Sequence, residues 1–250
     1  MTVEDTSKAW IVRTTPNPGA QMRLFCFSYA GGAASVFYPW PKELPPNVEV
    51  CAIQLPGRAS RMDEAPFTQL VPLVGEITRA LDSYLDKPFA IFGHSMGALV
   101  GFEVARRLRS ERNVEPAHLF ASACKAPQSP PGPQTYNLPE PLFIEELRRI
   151  NGTPQEVFQK KELMQLMIPI LRADFEVTET YTYTADLPFA RPISCFGGLQ
   201  DSDIGRKDLE AWREQTTGSF KLRMFPGDHF FLLTQAKIVL ELISRELYRI

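Results

Sequence analysis

Short apolar runs alternate along the chain with longer stretches in which apolar residues recur at spacings of three and four. The runs at 9–12, 23–27, 48–53, 89–92, 118–122, 192–196 and 220–224 read as strands. Several are apolar at consecutive positions, the pattern of a parallel sheet covered by helices on both faces. Between them, Phe67, Leu70, Val71, Val74, Ile77 and Leu81 line up on one helical face. A second helix is expected over 98–108, and Leu233, Ala236, Leu240 and Ile243 mark a closing one. This alternation predicts an α/β fold with a mostly parallel central sheet flanked by helices.

One segment breaks the rhythm. Residues 126–141 read A-P-Q-S-P-P-G-P-Q-T-Y-N-L-P-E-P, too rich in proline for a helix or an interior strand. Helical stretches follow at 142–150, 156–159 and 161–181. A single domain spanning 1–250 is expected, with 126–190 as a proline-rich linker and helical insertion after the fifth or sixth strand. Within it, 163–171 is apolar nearly all round, and Pro169 is expected to kink or break the helix. A core helix of an ordinary subdomain fits this pattern. So does a lid over an apolar substrate channel, its methionines giving adaptable contacts, and the position between sheet elements favours the lid.

Composition narrows the partners. A net charge of −2 and the lack of any basic run leave no electrostatic reason to expect nucleic acid or an anionic membrane. The start M-T-V-E-D-T-S-K has neither a basic stretch nor an apolar core, and no segment approaches the roughly 18 apolar residues of a membrane span. A cytoplasmic protein is expected. Cys26, Cys51, Cys124 and Cys195 lie in or beside apolar runs and form no C-x-x-C pair, so reduced thiols are expected rather than a zinc or redox site.

The candidate chemistry begins at Gly93-His-Ser-Met-Gly97, which follows a strand and opens a helix. G-x-S-x-G at such a turn is the pattern of a nucleophile elbow; the plainer reading is a glycine turn whose serine caps the helix. A nucleophilic Ser95 needs an imidazole to take its proton and a carboxylate to hold that imidazole. Only three histidines exist. His94 would point away from the serine, and His118 opens a strand-like run as a structural histidine does. His229 lies in a loop between the last strand and the last helix, where an α/β hydrolase carries its base. For the acid, the loop Gly197-Gly-Leu-Gln-Asp-Ser-Asp203 offers Asp201, favoured for its place nearer the strand end, and Asp203, which could cap the next helix. Asp228 adjoins His229 in sequence and is not expected to face it. The oxyanion donors are expected to be the Met96 N–H and the Ala30 N–H, with Gly31 as the next choice, from the loop Ser28-Tyr-Ala-Gly-Gly32.

Further motifs sharpen the picture: Tyr29-Ala-Gly-Gly32, Gln54-Leu-Pro-Gly-Arg58, Leu171-Arg-Ala-Asp-Phe175 with Tyr181, Gly197-Gly-Leu-Gln-Asp201 and Gly227-Asp-His-Phe230. With the serine elbow, they resemble the type II thioesterases of polyketide and nonribosomal peptide biosynthesis, members of the α/β-hydrolase superfamily. The resemblance runs from Phe25 to the C-terminus. It implies Ser95, His229 and Asp201 as a triad and Ala30 with Met96 as the oxyanion hole. It also implies acyl or peptidyl carrier protein domains as partners, whose phosphopantetheine arm brings the substrate, and no cofactor or metal of the enzyme's own. The implied role is hydrolysis of acyl groups misprimed or stalled on synthase modules. Two departures stand out. Ser28-Tyr29 replaces a more usual proline with histidine or tyrosine, and Ala59 follows Arg58 where an acidic residue is usual. A small-molecule esterase, an acyltransferase using the same acyl-enzyme, and a non-catalytic carrier-binding module are the alternatives.

Overall fold

The computed structural model describes residues 9–130, 132–151 and 158–249. Seven strands form one sheet: β1 (Ile11–Val12), β2 (Met22–Phe27), β3 (Val48–Ile53), β4 (Phe89–His94), β5 (Leu119–Ser122), β6 (Ile193–Gly198) and β7 (Phe220–Phe225). Their spatial order is β1-β3-β2-β4-β5-β6-β7. Only β1 runs antiparallel, against β3; the other pairings are parallel. All six residues of β2, β3, β4 and β6 are buried, as the continuous apolar runs required. The first strand is shorter than expected, because Ala9 and Trp10 are helical and only Ile11 and Val12 pair with β3.

Helices α1 (Leu70–Leu81) and α2 (Met96–Arg112) cover one face, and α5 (Ala236–Leu247) covers the other. The buried stripe of α1 is Leu70, Leu73, Val74, Ile77 and Leu81, while Val71 is 75% exposed. That corrects the expected face: one position past Leu70 is about 100° around the helix, and the core takes the residue three on instead. The closing helix differs similarly. The chain turns at Gln235, so Leu233 faces solvent, and Val239, Leu240, Ile243 and Leu247 carry the packing.

The insertion lies between β5 and β6 and carries α3 (Glu140–Ile150) and α4 (Lys161–Glu179). These helices pack on one another through Phe143, Leu147, Met164, Ile168 and Leu171, a cluster separate from the two sheet cores. Helix α4 runs unbroken through Pro169. The proline and Gln165, whose carbonyl it cannot serve, both sit on the exposed side, where the freed group is not buried. Of the expected helix at 156–159, residues 156 and 157 lie outside the described residues, and 158–159 are helical. Among the described residues, no helix is long and apolar enough to cross a membrane.

The order β3-β2-β4 places the site. Chain order reverses between β2 and β4, so the loops leaving their C-terminal ends diverge and open a crevice. The Tyr29–Gly32 loop leaves β2 and the serine turn leaves β4, side by side.

Candidate active site

Ser95, the turn residue just after β4, has φ 54° and ψ −123°, a conformation that L-residues seldom adopt. Its N–H donates to the Ser122 carbonyl at 2.7 Å, tying the turn to β5. Both flanking glycines are forced by contact. A Cβ at Gly93 would lie 2.2 Å from the Gly97 carbonyl oxygen, and one at Gly97 would lie 2.3 Å from that of Phe27. The Ser95 side chain makes no capping bond to α2, which removes the helix-cap reading. Its Oγ lies 2.9 Å from Nε2 of His229 instead.

His229 Nδ1 lies 2.8 Å from Asp201 Oδ2, so the three side chains form one hydrogen-bonded row. The loops after β6 and β7 are laced together, Leu199 and Gln200 N–H donating to the Phe225 and Gly227 carbonyls. The other Asp201 oxygen accepts the N–H groups of Asp203 and Ile204 at 2.9 and 3.0 Å. Burial pushes the Asp201 carboxyl up, but the bond from His229, its charge and these two N–H donors outweigh it. The net shift is downward, favouring a carboxylate. The alternatives separate cleanly. Asp203 takes a two-point ion pair from Arg149 of α3 at 2.8 and 3.0 Å, and Asp208 rather than Asp203 caps the short helix Arg206–Glu210. Asp228 accepts from the Phe230 N–H and from Asn151 Nδ2, away from the His229 ring.

The other two histidines are both buried. His118 bonds Ser194 Oγ at 2.9 Å and stacks on Phe120 at 4.2 Å; burial lowers its pKa to about 4. His94 points away from Ser95, as expected, yet is not idle. A carbonyl only accepts, so His94 Nε2–H donates to the His229 carbonyl at 3.0 Å, and Nδ1 then accepts from Ser122 Oγ at 2.9 Å. Burial first, then repulsion from His229, lowers its pKa to about 3, keeping it neutral. Pattern reading left this backbone brace unseen, because it joins residues 135 positions apart.

Three N–H groups in the β2 loop differ in what they serve. Gly32 N–H donates to the Tyr29 carbonyl at 2.9 Å, and Gly31 N–H donates to Asp174 Oδ2 at 2.7 Å. Among the described residues, the N–H groups of Ala30 and Met96 have no acceptor, and both residues line the same cavity as Ser95. Gly31 is therefore occupied, and Ala30 with Met96 is the available donor pair. Asp174 is held by Arg58 at 2.5 and 2.8 Å, and Arg58 also reaches the Pro56 and Gly32 carbonyls. The motifs around Arg58 and Asp174 thus meet on the back of the donor loop, a role that neither announces in sequence.

Ser95 and His229 open onto a cavity of about 590 Å³. Leu147, Ile150, Leu171, Phe175 and Tyr181, all from the insertion, line it together with Leu99. Among the described residues, no three His, Cys, Asp or Glu side chains gather as a metal centre requires. The four cysteines are free, three of them buried and Cys124 partly so.

A mostly parallel seven-stranded sheet, a serine turn at the end of a central strand, and a histidine loop after the last strand define the α/β-hydrolase fold. A family model described as "Thioesterase domain" matches residues 22–247. Gramicidin S biosynthesis protein GrsT of Aneurinibacillus migulanus is 46% identical, over 99% of this chain and 97% of its own length. Linear gramicidin dehydrogenase LgrE of Brevibacillus parabrevis is 43% identical, over 95% of this chain and 92% of its own. Among solved structures, YbtT, a type II thioesterase from the yersiniabactin NRPS/PKS pathway, superposes with a TM-score of 0.85 at 30% identity, covering 95% of this chain and 98% of that one. The chain belongs to the thioesterase family and is a hydrolase acting on acyl thioesters.

Proposed function

We propose that the protein releases acyl groups from the phosphopantetheine arm of carrier domains in a polyketide or nonribosomal peptide synthase, with Ser95 as nucleophile. The observation that carries this reading is the unbroken row Ser95–His229–Asp201 at the floor of a largely apolar cavity. His229 Nε2 takes the Ser95 proton as Oγ attacks the thioester carbon. Asp201 holds the Nδ1–H tautomer and balances the imidazolium. The carbonyl oxygen gains its charge facing the Ala30 and Met96 N–H groups. Collapse breaks the C–S bond, and the sulfur leaves as the thiol, taking the proton that His229 returns. A thiol of pKa about 8.5 needs little of that help. Water, deprotonated by His229, then cleaves the acyl–Ser95 ester and frees the acid.

Each step uses side chains and backbone alone, so the enzyme needs no cofactor, and the phosphopantetheine arrives with the substrate. Residues 126–190 act as a linker and lid within one domain, since α3 and α4 roof the cavity with their own apolar cluster. Removal of misprimed or stalled chains in the cytoplasm is the expected service, in line with relatives and neighbours named for biosynthetic pathways.

The test compares one short acyl group loaded on a carrier protein with the same group as a simple oxygen ester. Thioester turnover that exceeds ester turnover and disappears in Ser95→Ala supports the reading. Ester preference would move the protein to the esterases, and wild-type rates in Ser95→Ala would remove Ser95 from the chemistry.

A further inference from the structure

A second cavity, of about 620 Å³, lies on the far side of Tyr181 from Ser95. Tyr181 and Thr182 line both spaces, so the chain just after α4 is their common wall. Helix α2 runs beneath the two in succession. Met96 and Leu99 floor the first, and Glu103, Arg106 and Ser110 floor the second. At 1.5 Å per residue, Glu103 stands about 12 Å past Ser95 along the helix and Ser110 about 22 Å.

The wall is fastened. Tyr181 Oη donates to Glu103 Oε1 at 2.7 Å, and Arg106 donates to the same oxygen at 2.7 Å. Arg106 also reaches the Thr184 carbonyl at 2.7 Å, fixing the segment beyond the tyrosine. Burial, then the charge and hydrogen bond of Glu103, push the Tyr181 phenol well above its ordinary range, so it remains a donor at any working pH. The groove past the wall is mixed, with an apolar side that an acyl tail can follow and a polar side that includes Glu103, Arg106, Thr184 and Asp186. Leu70, Val71 and Val74 form one side, and Val71 stands 75% exposed there. The arginines opposite are already paired, Arg106 with Glu103 and Arg107 with Glu111.

We propose that Tyr181 is the end stop of the acyl cavity, setting the longest acyl chain the enzyme accepts, and that the groove along Leu70, Val71 and Val74 is its closed-off extension. This rests on the reading that an acyl group attached to Ser95 fills the cavity beside it. Removing the ring joins the two spaces along α2, and each additional buried methylene then favours longer chains.

The experiment measures kcat/KM for N-acetylcysteamine thioesters from butyryl to hexadecanoyl with wild type, Tyr181→Ala and Tyr181→Phe. In Tyr181→Ala, the hexadecanoyl-to-butyryl ratio is expected to rise by roughly tenfold or more, since two methylenes alone are worth about that factor. Tyr181→Phe keeps the ring and loses only its bond to Glu103, so a smaller shift in the same direction is expected, and this variant carries the test if the alanine variant does not fold. Adding Val71→Trp to Tyr181→Ala blocks the groove and is expected to cancel the gain. An equal change at every chain length in both Tyr181 variants would overturn the proposal. Failure of wild type on all thioesters would count instead against the reading of the cavity as an acyl site.

Discussion

Arg58 and Asp174, 116 positions apart, form a buried two-point ion pair, and the spare capacity of Asp174 is spent on the Gly31 N–H. A helix of the insertion thereby holds the loop that carries the Ala30 donor. Both charged side chains are nearly sealed from water, at 6% and 3% exposure, so the pair is poorly tolerant of losing one member.

Asp174→Asn leaves the Arg58 charge buried without its partner. A stability loss of about 3–5 kcal/mol is expected in denaturant unfolding. Where folded enzyme remains, kcat should fall by about 10²-fold with KM little changed, because a misplaced oxyanion donor acts on the transition state. The double variant Arg58→Met, Asp174→Leu separates the two effects. It should regain stability while the rate stays low, since Gly31 still lacks its acceptor. Rate recovery alongside stability would show a purely structural pair.

His94 braces the His229 backbone from beneath. His94→Phe fills a comparable volume but donates nothing. A fall in kcat of about tenfold is expected, with the His229 loop exchanging its amide hydrogens faster. Unchanged kcat would mean the loop is held by other contacts.

The two neutral buried histidines make stability depend on pH. Their folded pKa values, about 3 for His94 and about 4 for His118, lie below the ordinary 6.5. Between those values the unfolded chain binds protons that the folded one refuses. Stability is therefore complete above about pH 6.5 and falls as pH drops towards 4, by up to about 1.4 kcal/mol per pH unit for each histidine. Asp201, with its pKa lowered, adds a loss of the same sign below 3.8. Urea midpoints measured from pH 8 to 4 should trace this slope, and His118→Gln should flatten it. An equal slope in that variant would place the effect elsewhere.

Ala59 carries a φ of +50° on the exposed loop next to Arg58. A left-handed alanine costs about 1 kcal/mol, and asparagine tolerates that region. Ala59→Asn should raise stability by up to about 1 kcal/mol, whereas Ala59→Gly should be near neutral because it also loosens the unfolded chain. A lower thermal midpoint for the asparagine variant would contradict this.

The sheet was legible in sequence because β2 to β6 are buried on both faces, and seven runs at 9–12 through 220–224 each fall on an observed strand. The meeting of the Ser95, His229 and Asp201 side chains in one hydrogen-bonded row was legible because turn chemistry and chain order limit which residues those loops bring together. Val71 was misread because periodicity at three and four admits neighbouring faces, and only packing against α2 chooses between them. The Arg58–Asp174 pair, the His94 brace and the Tyr181 partition were not legible. Each depends on how far apart in sequence two groups can be and still touch, and no local pattern encodes that distance.

The nucleophilic role of Ser95 is tested most directly by rapid quenching of the enzyme with an acyl thioester, followed by peptide mapping in a mass spectrometer. An acyl adduct on Ser95 that forms and decays at the rate of turnover is expected, with none in Ser95→Ala. Turnover with no adduct on Ser95, or an adduct on another residue at the same rate, would contradict the account.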